Sequence, residues 1–263
     1  MRRLPIFLCS IFILGTSFYP SSKKVPTSTT TKEINKNLVS VDANKEEAKT
    51  TTAESIYNSI SFEGNDVLNF EVFNKAYLGF QNLKKSGALN EDAKLLSICD
   101  FSLSSNKKRL WVIDVESKTV LFNSLVAHGK GTGEEFATNF SNQENSHQSS
   151  LGFYVTEATY NGDNGYSLRL IGMDKGYNDA AMKRAIVVHG ADYVSDDFIR
   201  SEKRLGRSWG CPAVPRALAE PIINSIKDKT CLFIYYPDQN YLSHSEWLKD
   251  AEPILSNEVL AKQ

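Results

Sequence analysis

The sequence predicts a mainly β protein, a β-sandwich-like or mixed β fold carrying peripheral helices. Three observations support this. Short runs rich in Val, Ile, Phe and Tyr recur between residues 95 and 237, the composition of pleated, half-buried strands. Turn signals such as Gly172-Met173-Asp174-Lys175-Gly176 separate them. Upstream, apolar residues recur at three- and four-residue steps instead, the period of an amphipathic helix.

Taken in order, Arg2-Arg3, an apolar run over residues 4–14 and Gly15-Thr16-Ser17 have the layout of a secretory signal, residues 1–17. The run is shorter than the ~20 residues of a membrane helix, so no stable membrane insertion is expected after cleavage. Residues 18–53 are Ser, Thr, Lys, Glu and Asn with few large apolar side chains, the composition of a flexible linker. Residues 54–94 form a helical extension. In it Phe70, Phe73, Tyr77, Phe80 and Leu83 make one apolar face, with Asn69 as N-cap, Lys84-Lys85 in the last turn and Gly87 as the stop. That face should pack on the domain that follows, residues 95–237. Expected strands there are 109–114, 120–127, 152–160, 167–171, 185–189 and 230–236. A helical turn at 179–183 and a helix at 217–226 are added, and the tail, 238–263, should hold a helix over 243–260 led by a Ser cap.

Val188-His189-Gly190 and Gly206-Arg207-Ser208-Trp209-Gly210-Cys211-Pro212 carry the chemistry, with histidine and cysteine 22 positions apart. A cysteine is a nucleophile as its thiolate, and an imidazole takes up that proton near neutral pH. His189 closes an apolar run that reads as a buried strand, whereas Cys211 follows a loop. Glycines at 190, 206 and 210 permit close backbone approach, and Arg207 and Ser208 add donors beside the thiol. The plainer alternative is a buried structural thiol and an ordinary imidazole.

These motifs resemble the His-Gly and Ser-x-Gly-Cys signature of the YkuD-type murein L,D-transpeptidase catalytic domains, over roughly residues 95–237. The details match a less-studied branch, in which Ala127-His128-Gly129, Phe140-Ser141-Asn142, Ser149-Ser150-Leu151-Gly152 and Asn178-Asp179-Ala180 accompany the Gly-Arg-Ser-Trp-Gly-Cys-Pro motif. The resemblance implies a thioester formed by Cys211 on a peptidoglycan stem peptide, with His189 as base and the Gly190 carbonyl orienting its ring. Backbone N–H groups at Gly210 and Cys211 would hold the oxyanion, and Ser208, Arg207, Trp209 and His128 would face the substrate. Transfer to an amine acceptor makes a cross-link. A cysteine hydrolase of L,D-carboxypeptidase type and a catalytically silent wall-binding protein are the alternatives. Two departures stand out: Trp209 and Ala213 occupy positions where the commoner branch has histidine and arginine. Arg207 or Arg216 is then the expected carboxylate-binding cation, and Trp209 either screens the site from water or packs in the core.

A formal net charge of −1 gives no basic footprint for nucleic acid. No Cys-x-x-Cys or His-x-x-Glu-His spacing suggests a metal, and no cofactor is expected. Cys99 and Cys231 leave two readings open, a disulfide or two buried thiols. His147 would border the cleft or sit in solvent, while His244 is expected to be exposed. The expected product is an exported monomer of the periplasm or cell envelope.

Overall fold

The computed structural model describes residues 53–249. The expected signal, the linker as far as residue 52 and the end of the tail from residue 250 lie outside the described residues.

After a helical stretch at 53–59, helix α1 spans Phe70–Lys85. Asn69 caps it, its side chain accepting from the Glu71 N–H at 2.8 Å. Phe73, Phe80 and Leu83 are buried as the periodicity requires, together with Val72 and Ala76. Gly79 is the contact point with the sheet: a Cβ there would sit 2.0 Å from the Phe153 ring. The helix can approach β4 this closely only without a side chain.

Eight strands form one mixed sheet in the order β3-β2-β1-β8-β4-β5-β6-β7. They are β1 (Leu95–Asp100), β2 (Leu110–Asp114), β3 (Thr119–Ser124), β4 (Gly152–Gly162), β5 (Gly165–Gly172), β6 (Val187–Ala191), β7 (Ala213–Pro215) and β8 (Cys231–Tyr235). The pairs β1–β8 and β6–β7 are parallel and the others antiparallel. Every residue of β2, β6 and β8 is buried, which explains why those strands read as unbroken apolar runs rather than alternating ones. Helix α2 spans Asp196–Glu202 and α3 spans Arg216–Ile226. Helix α3 packs so tightly on β6 that a Cβ on Gly190 would meet the Ala219 Cβ at 2.8 Å and the Arg216 Cα at 3.1 Å.

The two ends of the sheet approach one another. Beyond β3 the chain reaches Ala127, whose N–H donates to the Ala213 carbonyl of β7 at 2.8 Å and whose carbonyl accepts from Ala213 at 3.3 Å. One residue group further, Lys130 N–H donates to the Ser208 carbonyl and Ser208 N–H to the His128 carbonyl. The result is nearly a barrel.

The open question of Cys99 and Cys231 is decided, and the tail carries a helix that was not expected. Cys99 and Cys231 are both free and buried, on neighbouring parallel strands where Cys231 pairs with Leu96 and Cys99 with Ile234. An offset of three residues separates them by about 10 Å along the ladder and turns them to opposite faces, which excludes a disulfide. Of the helix expected over 243–260, residues 250–260 lie outside the described residues; before them α4 spans Gln239–His244, capped by Asp238, whose side chain accepts from the Tyr241 N–H at 2.8 Å. A single 3-10 turn, Glu246–Leu248, follows. Tyr241 is fully buried in the main core, and its hydroxyl, the Ser245 hydroxyl and the Phe153 N–H all donate to the carboxylate of Asp174. The described part of the tail is therefore a wall of the core.

Candidate active site

Strands β6 and β7 bring histidine and cysteine together. In their parallel register His189 pairs with Ala213, so Cys211, two residues earlier, lies beside Val187. The Val187 N–H donates to the Cys211 Sγ at 3.5 Å, and the thiol donates to the Ala185 carbonyl at 3.7 Å. Ala185 holds a φ of 53°, a left-handed conformation unfavourable for a residue with a Cβ. Backbone strain is thus stored in the residue whose carbonyl accepts the thiol's hydrogen bond.

His189 Nδ1 lies 3.2 Å from the Gly190 carbonyl. A carbonyl only accepts, so Nδ1 carries the hydrogen and Nε2 keeps its lone pair. Burial, and secondarily the charge of Arg216, lowers the His189 pKa against the raising effect of that carbonyl. Burial pushes the Cys211 thiol up, opposed by the Val187 N–H and by Arg184. Both shifts favour a neutral thiol beside a neutral imidazole. Among the described residues no hydrogen bond joins Cys211 Sγ to the His189 ring, although both line one groove. Such pairs are often loose in the absence of substrate.

The turn before Cys211 is fastened by side chains. The Ser208 hydroxyl donates to the Cys211 carbonyl at 2.6 Å and accepts from the Gly210 N–H at 3.0 Å. The Ser149 hydroxyl accepts from Gly129 N–H and donates to the Gly210 carbonyl, each at 3.0 Å. Gly210 has a φ of 124°, and a Cβ on it would lie 2.8 Å from the Gln148 carbonyl oxygen, so only glycine fits. Two corrections follow. The Gly210 N–H, expected to face an oxyanion, is already bonded to Ser208. Ser208 therefore braces the turn from a largely buried position. The Cys211 N–H has no protein oxygen as acceptor among the described residues.

A groove of about 610 Å³ contains Cys211, His189, Ser208, Arg207 and Trp209, and is completed by Arg184, Tyr160, Tyr193 and the tip of the β4–β5 hairpin at residues 162–164. Trp209 is 75% exposed and stacks on His147, rings 5.2 Å apart and 13° from parallel. It borders the groove and does not pack in the core. Both expected cations are already paired with carboxylates: Arg207 with Glu134 at 2.5 Å, and Arg216 with Asp192 through two bonds.

His128 does not reach the groove. It is 1% exposed and accepts at Nδ1 from Arg109, 2.8 Å away, while Nε2 faces the Gly133 carbonyl at 3.3 Å. Arg109 is itself completely buried, donating to the Leu103 and Val126 carbonyls and lying 4.7 Å from the Phe101 ring centroid. Protonating His128 would set two cations together in the core. Burial first, and Arg109 next, pull its pKa down to about 4.

The sequence reading did not find Arg184, Tyr160 or Tyr193. Its Asn178-Asp179-Ala180 motif proves architectural: Asn178 donates to the Phe153 carbonyl, and Asp179 and the Ala180 N–H both bind Asn142. Among the described residues no group of three metal-ligating side chains occurs, and no helix is long and apolar enough to cross a membrane.

Residues 64–235 match a family model described as the L,D-transpeptidase catalytic domain. The match takes in helix α1 as well as the sheet. No curated protein matches the chain significantly. Among solved structures, similarity is found to LD transpeptidase LdtMt1 in complex with imipenem, at 12% identity over 54% of this chain and 59% of that one, with a TM-score of 0.34. An L,D-transpeptidase from Mycobacterium smegmatis gives 13% identity over 55% of this chain and 59% of that one, TM-score 0.34. The helical cell shape determining protein Pgp2 from Campylobacter jejuni gives 14% over 63% and 57%, TM-score 0.36. The chain spans just under three-fifths of the length of each.

Proposed function

The chain belongs to the L,D-transpeptidase catalytic domain family, and we propose that it is an exported cell-envelope acyltransferase with Cys211 as nucleophile and His189 as base. The observation that carries this reading is one groove lined by both a free thiol, Cys211, and an imidazole, His189, whose Nδ1 is committed to the Gly190 carbonyl.

In this reading a stem peptide enters the groove and His189 Nε2 takes the Cys211 proton. The sulfur attacks the carbonyl carbon of an L,D peptide bond. The resulting oxyanion is met by the Cys211 N–H; one such donor is commonly worth about 2.7–4 kcal/mol of barrier. The C–N bond breaks, His189 returns the proton to the leaving nitrogen, and the terminal D-amino acid departs. The thioester then passes to an amine of a second stem, regenerating the thiol and forming a new amide. Trp209 and Arg207 border the groove and meet the substrate, whereas Ser208 and Gly210 hold the turn. The chemistry requires no cofactor, and the catalyst acts as a monomer.

Hydrolysis is the second reading, in which water rather than an amine takes the acyl group from the thioester. Product analysis with and without an added amine separates the two. The primary test is intact-mass analysis after incubation with tetrapeptide stems or a carbapenem. An adduct on Cys211, lost in Cys211→Ala, is expected; an unmodified Cys211, or turnover in Cys211→Ala, overturns the reading.

A further inference from the structure

Among the described residues, Arg184 is a cation in the groove wall with no carboxylate partner. Its Nη1 donates to the Ser141 carbonyl at 2.8 Å and the Ser150 hydroxyl at 2.5 Å, and its Nη2 to the Ser146 hydroxyl at 3.2 Å and the Gln148 carbonyl at 2.6 Å. All four acceptors are neutral. Neighbouring cations differ: Lys183 pairs with Glu144, Arg204 and Arg207 share Glu134, and Arg216 has Asp192. The guanidinium also lies next to the nucleophile's turn, since Nη2 is 3.3 Å from the point a Cβ on Gly210 would occupy. Arg184 precedes Ala185, whose carbonyl accepts the hydrogen bond of the Cys211 thiol.

We infer that Arg184 is the electrostatic partner of the Cys211 thiolate: a positioning residue whose unneutralised charge stabilises the sulfur anion once His189 has taken the proton. This rests on Cys211 being the nucleophile. A charge paired only with dipoles keeps most of its field, and an anion forming nearby gains from it. Tyr154 and Cys211 are the ionisable groups that Arg184 senses. Burial raises the Tyr154 phenol well above its ordinary range, so only the sulfur becomes an anion. The other titratable groups lining the groove are His189, Tyr160, Tyr193, Asp163 and Arg207. Of these, Arg207 is held by Glu134, a carboxylate it shares with Arg204. Burial, with Cys211 second, raises Tyr193 to about 12, leaving it a neutral phenol. Asp163, at the hairpin tip, is exposed.

The test is the pH dependence of Cys211 alkylation by iodoacetamide, in which the thiolate displaces iodide from carbon. The Cys211→Ser protein serves as blank for the remaining thiols. In Arg184→Gln the midpoint of the rate profile should rise by about one pH unit, roughly a tenfold loss of rate on the acid side. Arg184→Lys should hold the midpoint near wild type. Ser150→Ala removes a hydrogen bond of the guanidinium but leaves the charge, and should not move the midpoint. An unmoved midpoint in folded Arg184→Gln overturns the inference. So does a shift in Ser150→Ala as large as that in Arg184→Gln, which would mark Arg184 as loop bracing alone. If Arg184→Gln does not fold, a shift in either of the other variants overturns the inference and wild-type midpoints in both support it. Alkylation needs no substrate. A midpoint that moves as expected while stem tetrapeptides leave no adduct would keep Arg184's role and sink the transpeptidase reading; the converse separates them equally well.

Discussion

His189 and His128 show how the same side chain reads differently once its neighbours are known. Both lie beside glycine in the sequence, yet one borders an open groove and the other is sealed against a buried guanidinium. For His189, the neutral ring is the working form, and burial lowers its pKa. The acid limb of kcat/KM should therefore fall below pH 6.5, the value of an unperturbed imidazole. A limb above that value in steady-state assays of the acyl transfer would contradict a buried base. For His128, the folded pKa of about 4 lies below the unfolded 6.5. The unfolded chain then binds more protons across that window, so stability is complete above pH 6.5 and is lost as pH falls toward 4. The loss from this one group is at most about 3 kcal/mol. Urea midpoints at both ends of the window should fall further in wild type than in His128→Gln, whose amide oxygen still accepts from Arg109.

At the level of strands and helices, the sequence was legible where burial imposed a simple pattern. The runs around Val112, Val155, Val188 and Phe233 all became strands, and the aromatic steps of α1 became its buried face. Elements without such a pattern escaped. Helix α2 buries no residue, so it has no apolar period, and only the Ser195 cap followed by Asp196 and Asp197 announced it. Strand β7 is three residues long and ends in proline. The candidate pair Cys211 and His189 was readable because each residue is flanked by glycine. Arg184 was not, since its partners lie 34 to 43 residues away in sequence, and no local rule encodes such a reach. Gly190 is where element packing and chemistry meet. Gly190→Ala would push α3 off β6, costing about 1–3 kcal/mol as overpacking does. The same change would move the carbonyl that orients His189, so Tm and kcat should fall together; an unchanged Tm would show that α3 yields freely.

Across the whole described molecule, the larger of two core clusters takes in the N-terminal helix, as its apolar face required, and also the tail segment. Helix α1 and the 239–248 segment both pack into it, because their aromatic residues need the sheet to bury them. Asp174 ties the tail to β4 and is a buried carboxylate held by three donors. Tyr241→Phe should cost about 1 kcal/mol, one hydrogen bond, whereas Tyr241→Ala should cost about 3–5 kcal/mol as a large cavity opens. Chemical denaturation of the two variants checks the difference. Equal losses would mean that the hydroxyl, not the ring, anchors this segment.

The meeting of Ala127 with Ala213, and of Ser61 with Lys118 at the other margin, has a bearing on self-association. Sheets usually leave bare hydrogen-bonding borders that neighbouring chains can extend into fibrils. Here the protein's own backbone occupies part of each border. Crowding this protein at high concentration should therefore not seed ordered aggregates through its outer strands.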